Sequence, residues 1–599
     1  MTNLKNKSRV SSVALVLMLT MIALMACTTV WVQASSYNKK GFRYESGVTQ
    51  YPWSHQSYNA QRIGYTESSA PITNHTLWSF SGDGKDYYIC QPTVAEGKVF
   101  LAVNFPAPYD HLYALDAATG EIIWTWRPEG LPVGSGFFDA PVVDGGKIYF
   151  RTGTSLYCLS SAIGDVMWQY DFNRFLGGSS SVAIWDGKIY GFSMNSVWCI
   201  EAPYTGGFYP VLKWETFSNG NFTIDPMYSG LIGSPAVGEG KVIGIGRGSG
   251  DVFCLNATTG EWMWTVNTGM INQYTPTIYN GKVYYGDSGI KVLSFEESNG
   301  NLYCWDANTG EEIWKQTFPM GMGWGATAAY GNVYMGSYDG WFRAFDANTG
   351  TLVWEIDNTA ANVKHPYLGY YGVWHAAPAV ADGKVYMGGH DGYFYCWDAH
   401  TGEEIWKYEV GGDVCAGPAI ADGRVYVGSL YIWSQHVGQG TPVFYCFGKG
   451  PTTTEVSVTA SNVEIGSRIA IYGSVYDESP ASSGAPVANV PMKLSLQKAG
   501  ESDWSDVGTA TTDSTGSFAV DWIPAAEGTY RLQAMFEGND DYGWSSGQVV
   551  VQVALAPAEP EPSEPSEAPF ITTEIAIIVA AVIVAVAVMA GFWIIRKRK

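Results

Sequence analysis

One stretch decides the fold of this 599-residue chain: Pro378-Ala-Val-Ala-Asp-Gly-Lys-Val-Tyr386, then Phe394-Tyr-Cys-Trp-Asp398, then Thr401-Gly-Glu-Glu-Ile-Trp406. Each piece is a short apolar or alternating run, as a strand requires, and each junction suits a tight turn. Asp382-Gly383 and Asp391-Gly392 tolerate the positive φ of a hairpin, and Gly402 supplies the left-handed position of a third turn. The stretch therefore reads as one four-stranded unit. That unit recurs along the chain. Its Asp/Asn-Ala-x-Thr-Gly turn returns at Gly120, Gly260, Gly310, Gly350 and Gly402, with a degenerate copy at Gly164. A closing Trp follows at 124, 168, 214, 264, 314, 354 and 406. Trp78 extends the series backward, and the mean spacing is about 47 residues, in the range of propeller blades.

Counting first-strand glycines gives Gly97, Gly146, Gly187, Gly240, Gly281, Gly331, Gly383 and Gly423, hence eight units. The eighth reaches Phe444-Tyr-Cys-Phe447 and lacks its closing Trp strand, whereas Trp78 sits in an orphan strand. The expectation is an all-β chain with an eight-bladed β-propeller over 72–449, closed by the strand around Trp78, which leaves no open sheet edges.

Composition agrees with this class. Aromatic and charged residues each make up 15% of the chain, which excludes disorder and a coiled coil. Lys+Arg 34 against Asp+Glu 56 excludes the basic footprint of a nucleic-acid binder. Cysteines point the same way. Cys158, Cys199, Cys254, Cys304, Cys396 and Cys446 share one repeat position that Ala114 and Ala344 fill elsewhere, so the position wants a small buried group. Only Cys90 and Cys415 are left over as a candidate disulfide pair.

With these motifs in place, residues from about 50 to 449 resemble the PQQ-binding-like (quinoprotein) β-propeller repeat. Tyr51-Pro-Trp before Arg62-Ile-Gly-Tyr65 and Ala70-Pro71 resembles the leading segment of exported members. Trp-Asp at 305–306 and 397–398 is superficially similar to WD40 repeats, but the Trp four residues after Thr-Gly fits the quinoprotein type better. The resemblance implies, for an enzyme, PQQ and calcium with a vicinal Cys-Cys against the cofactor. No Cys-Cys dipeptide and no C-x-x-C-H haem motif occurs in the chain. G-x-S-x-G and H-E-x-x-H are also missing. No catalytic residue and no metal ligand set is therefore assigned, and no cofactor is required.

The ends read as export and anchoring. Lys5, Lys7 and Arg9 precede an apolar run, and Val32-Gln33-Ala34 before Ser35 is a peptidase-type cleavage pattern. Leu24-Met25-Ala26-Cys27 is similar to a lipobox, which would instead lipidate Cys27. Ile575 to Ile595 carries no charge over 21 residues, enough to span a bilayer of about 30 Å, and Arg596-Lys597-Arg598-Lys599 follows. Residues 1–34 are expected to be a signal peptide and 35–71 a leading segment. The Thr/Ser/Val-rich stretch 451–555 reads as an Ig-like β-sandwich, similar to bacterial and archaeal surface repeats through Gly538-Asn-Asp-Asp-Tyr542. A Pro/Glu-rich spacer (556–569), a transmembrane helix (570–595) and a cytoplasmic tail (596–599) complete the chain. The localisation expected is a single-pass cell membrane protein with its ectodomain outside, at a charge of about −29 once both basic ends are set aside.

Propellers bind ligands at the axial funnel, lined by residues just before each innermost strand. Candidates there are Asp139, Gln273, Tyr274, Trp324, Trp374 and His375, beside Cys90, Gln91, Ser234 and Cys415. Such a set suits a small-ligand or glycan pocket, and equally suits packing of the strand entrances. Asn74, Asn221 and Asn256 stand in glycosylation sequons. The function expected is a cell-surface binding or scaffolding module for a protein or glycan. The alternative is a membrane-tethered PQQ- and calcium-dependent oxidoreductase of alcohols or sugars. Propeller lipoproteins of outer-membrane assembly share the repeat, but a C-terminal membrane helix conflicts with them.

Overall fold

The fold is taken from a computed structural model, which describes residues 49–82, 90–103, 111–128, 140–174, 176, 180–203, 209–217, 231–246, 249–271, 274–291, 297–322, 325–359, 376–429, 442–482, 484–555 and 580–590. The chain is nearly all-β, with one short helix over 580–590. Among the described residues no helix is long and apolar enough to cross a membrane. The signal peptide, Cys27 and the spacer lie outside the described residues, as do 575–579 and 591–595 of the apolar stretch around the helix.

The repeat folds as a β-propeller. The first of its antiparallel sheets runs from the axis outward as Thr93–Ala95, Lys98–Val103, His111–Asp116 and Ile122–Trp126. Six more sheets of consecutive strands follow, the seventh ending at Glu404–Glu409. The eighth takes Ala419–Ala421, Arg424–Gly428 and Phe444–Phe447 from the end of the repeat, and its outermost strand, Thr76–Phe80, from the beginning. Innermost strands touch their neighbours in cyclic order, and that of the eighth touches that of the first.

One packing element explains most of the repeat. In five of the sheets the closing Trp leans onto the corresponding turn of the next and donates its indole N–H there. Trp124 bonds Ser161 O, Trp214 bonds Ala257 O, Trp264 bonds Ala307 O, Trp314 bonds Ala347 O and Trp354 bonds Ala399 O, at 3.0–3.2 Å. Trp78, arriving from the chain's beginning, makes the same bond to Ala117 O at 3.2 Å and so fastens the eighth sheet to the first. The glycine of the turn is obligatory for two reasons. At Gly350 φ is +70°, and a Cβ would lie 2.7 Å from the Trp314 ring. Gly281 has a similar φ of +72° but open space around it. Gly350→Ala is therefore expected to cost more than Gly281→Ala, by about 1–3 kcal/mol of overpacking on top of the shared φ penalty. Urea unfolding of both variants checks this; equal losses would contradict it.

The cysteine position also has its reason. Register pairs the small residue directly with the closing Trp: Cys158 with Trp168, Cys254 with Trp264, Cys446 with Trp78, Ala114 with Trp124 and Ala344 with Trp354. A larger side chain there would displace the indole. Burial pushes the Cys158, Cys254 and Cys446 thiols up to about 12, so they are inert as nucleophiles. Cys90 and Cys415 are both buried, and neither is in a disulfide.

Residues 452–554 form two further sheets around one core that includes Ile469, Leu494, Leu532 and Val551. One sheet centres on Ile469–Asp477, and the other runs Asn462–Glu464, Ser545–Ala554, Gly528–Phe536, Pro491–Lys498, Ser505–Thr511.

Candidate functional site

The inner edges of the sheets face the axis, and they are not bare. Residues 53–64 run round the inside of the ring, meeting the middle of one innermost strand after another. Val94 N–H donates to Trp53 O, Val143 to Ser54 O, Val237 to Ala60 O, Ile278 to Gln61 O, Ala328 to Ile63 O and Val380 to Gly64 O, at 2.7–3.0 Å. Ile184 N–H donates instead to His55 Nε2 at 3.1 Å. Tyr65–Thr66 then pairs in parallel with Val380 and Ala381. The eighth sheet is met differently: the Asp422 carboxylate accepts the Gln50 and Tyr51 N–H groups, and Gly423 N–H donates to Ser68 Oγ. The leading segment thus meets the inner edge of seven sheets and the first turn of the eighth.

Two titratable groups of this segment lie at its heart. Arg62 is 1% exposed, and its guanidinium donates to three main-chain carbonyls: Nε to Pro235 O at 3.1 Å, Nη1 to Gln56 O at 2.9 Å and Nη2 to Val182 O at 2.9 Å. Burial lowers its pKa to about 9, which leaves it charged at neutral pH. His55 is held well below 6.5, first by burial and then by the Arg62 charge, against the raising effect of the Ile184 bond. It is therefore neutral. With Nε2 accepting from Ile184, its Nδ1 proton faces Ser54 Oγ at 2.8 Å.

A pH dependence follows from His55. Below about 6.5 the unfolded chain binds a proton that the folded chain refuses, so stability is full above that value and falls as pH drops through it. The thermal midpoint is expected to fall more for the wild type than for His55→Gln between about pH 8 and about pH 5. Equal falls would remove His55 as the cause.

At the strand entrances the described residues are engaged with their neighbours. Gln91 accepts the Ser57 N–H and donates to Pro418 O, bracing the leading segment against the eighth sheet. Ser234 Oγ donates to Gln56 Oε1 and accepts from Ser181 N–H. Tyr274 is buried with its hydroxyl hydrogen-bonded to that of Tyr338. Tyr338 also lines a cavity of about 220 Å³ with Ser288, Glu297 and Met320. Asp139, Gln273, Trp324, Trp374 and His375 lie outside the described residues, so of the predicted set only Tyr274 is described. Of the sequons, Asn221 is also outside. Asn74 is exposed, with Nδ2 donating to Lys407 O. Asn256 Oδ1 accepts the Thr258 and Thr259 N–H groups of the repeat turn.

Three further groups were not singled out together by sequence reasoning: His390, Asp413 and Cys415. His390 Nδ1 is 3.6 Å from Asp413 Oδ2, both side chains are buried, and neither Asp413 oxygen accepts a hydrogen bond. Burial, and then the Asp413 charge, pushes the Cys415 thiol far up. No short motif links these residues, because the pair joins a hairpin turn to the loop two strands further on. Calcium takes about six to eight oxygen ligands. A carboxylate beside an imidazole and a thiol is not such a shell, and among the described residues no three His, Cys, Asp or Glu side chains could hold a metal. The described residues do not fit the calcium of a quinoprotein, and no step is routed through PQQ or calcium here.

Fold and repeat together define a propeller of the quinoprotein type. The PQQ_2 family, described as outer membrane protein assembly factor BamB, matches residues 69–197, 213–302, 288–369 and 368–445, more than half of the chain, and the chain belongs to that family. The match rests on the repeats and does not extend beyond residue 445. The chain is 25% identical over 353 residues to tetrathionate hydrolase of Acidithiobacillus ferrooxidans, covering 57% of this chain and 62% of that protein. It is 36% identical over 75 residues to quinoprotein ethanol dehydrogenase of Pseudomonas putida, covering 12% of this chain and 10% of that protein. The chain thus spans less than two thirds of the length of the curated relatives it matches. The crystal structure of quinohemoprotein alcohol dehydrogenase from Comamonas testosteroni superposes with a TM-score of 0.50 at 14% identity, over 67% of this chain and 81% of that one, a likeness of fold alone.

Proposed function

We propose that this chain is an exported, membrane-anchored protein whose eight sheets are the blades of one propeller, displayed on an Ig-like sandwich. In this reading the propeller is a binding or scaffolding module for a surface protein or a glycan, with the C-terminal apolar segment in the membrane and the basic tail inside. The supporting observation is the leading segment inside the ring. With the inner edges of seven sheets already met by the chain itself, ligand contact falls to the strand entrances and loops rather than to an open bore.

A second reading is membrane-tethered oxidation of alcohols or sugars with PQQ and calcium. The relatives favour it over the first, through the match to quinoprotein ethanol dehydrogenase. One experiment separates them. The detergent-solubilised full chain is dialysed against PQQ and calcium, then assayed for bound cofactor and for dye reduction with alcohols and sugars. Uptake with turnover would replace the binding reading, and no uptake would remove the oxidoreductase. A glycan array probed with the same protein tests the glycan ligand directly.

A further inference from the structure

We propose that the sandwich is a clasp on the ring-closing strand, so that the seam between the eighth and first sheets opens only when the sandwich lets go. Among the described propeller sheets, the eighth is the one whose outermost strand comes from a remote part of the chain. Thr76–Phe80 reaches its sheet through pairs with Phe444–Phe447, from Thr76 with Phe447 to Phe80 with Phe444. Its inner side is thereby occupied, and Trp78 secures it to the first sheet.

The outer side and the N-terminal flank of this strand are held by residues of the sandwich. Ala481 N–H donates to Leu77 O at 2.9 Å, on the edge that every other outermost strand turns away from its sheet. His75 Nε2 lies 3.4 Å from Asp477 Oδ2, where the two side chains are 16% and 2% exposed. Burial raises the Asp477 carboxyl, but hydrogen bonds from His75 and from Ser482 and Ser479 outweigh it and hold the group below the ordinary carboxylate value. The His75 ring also meets Tyr542 edge-on at 5.1 Å. Gly450 closes the arrangement. Its N–H donates to Asp541 O, its carbonyl accepts from Gly543 N–H, and a Cβ would stand 2.8 Å from Asp477 Oδ1 and 2.9 Å from His75 Nε2. Finally, Gly448 N–H donates to His75 O. The strand that closes the ring, the segment leaving the ring and two loops of the sandwich thus meet at one point.

The consequence is mechanical coupling. A load or a partner that moves the sandwich acts on Leu77 and His75 before any other part of the propeller, and the element it loosens is the one without a covalent neighbour in its sheet.

Hydrogen exchange of the full chain tests this, read by peptide for 76–80, 444–447 and, as a distant reference, 352–357. Ala481→Pro removes the donor to Leu77 O. Asp477→Asn keeps an acceptor for Ser479 but removes the charge facing His75, and it guards against misfolding of the proline variant. Both are expected to speed exchange at 76–80 at least about tenfold while 352–357 keeps its rate. Gln316→Ala, which cuts an unrelated bond between neighbouring sheets to Gly350 O, is expected to leave 76–80 unchanged. Unchanged exchange at 76–80 in Asp477→Asn, or a uniform rise across all three regions, would overturn the clasp.

Discussion

Arg62→Met is expected to destabilise the propeller by about 3–5 kcal/mol. A hydrogen bond from a charged donor contributes about 1.5–3 kcal/mol, and Arg62 makes three to carbonyls of Gln56, Val182 and Pro235. Two of those carbonyls belong to the approaches of different sheets, so the loss falls on the alignment of sheets and not on one strand. Methionine fills much of the aliphatic volume, and the expected loss is therefore mostly polar: buried carbonyls left without donors. Arg62→Lys is expected to recover only part of it, because an ammonium cannot reproduce the planar fork. Urea unfolding followed by tryptophan fluorescence measures both. A loss below about 1 kcal/mol for Arg62→Met would mean that water replaces the guanidinium, and the segment would then be a lining rather than a brace.

Trp78→Ala is expected to cost about 3–5 kcal/mol, as truncation of a large buried aromatic does. The same substitution also breaks the fastening between the eighth and first sheets. A finer comparison isolates the hydrogen bond. Trp78→Phe removes the donor to Ala117 O, yet that carbonyl keeps the Tyr426 hydroxyl at 3.3 Å. Trp406 occupies the matching place in the seventh sheet, but its Nε1 has no hydrogen-bond partner. The eighth sheet has no Thr-Gly turn to offer, since its third strand ends at Phe447 and its fourth comes from the chain's beginning. Trp78→Phe is therefore expected to cost more than Trp406→Phe by about 0.5–1.5 kcal/mol. Equal costs would show that ring packing alone carries the contact.

Much of the propeller was legible because a repeat states its own solution several times over. Wherever Thr-Gly precedes Trp by four residues, a sheet ends and the next begins, and the alternation of Cys with Ala marks the residue that faces the indole. Candidate sites were far less legible. Tyr274 reads as a funnel residue from its place before a strand, yet its hydroxyl is committed to Tyr338 across a sheet boundary. Asp413 carries no signal at all, being one acid in an ordinary loop; only its approach to His390 and the lack of any donor to its oxygens set it apart.

Local chemistry by itself determined the strands, the turns and the spacing of this protein. Turn glycines, apolar alternation and the closing Trp act within a few residues of one another, so each repeat carries its instructions intact. The tertiary structure alone decided what fills the ring and what fastens it. Residues 53–64 have no periodicity, and their partners lie between about 40 and 320 residues away. A buried arginine whose acceptors are main-chain carbonyls leaves no complementary side chain to look for. The same holds for the clasp: His75 and Asp477 meet only because the strand that completes the ring and the sandwich that follows it converge on one seam.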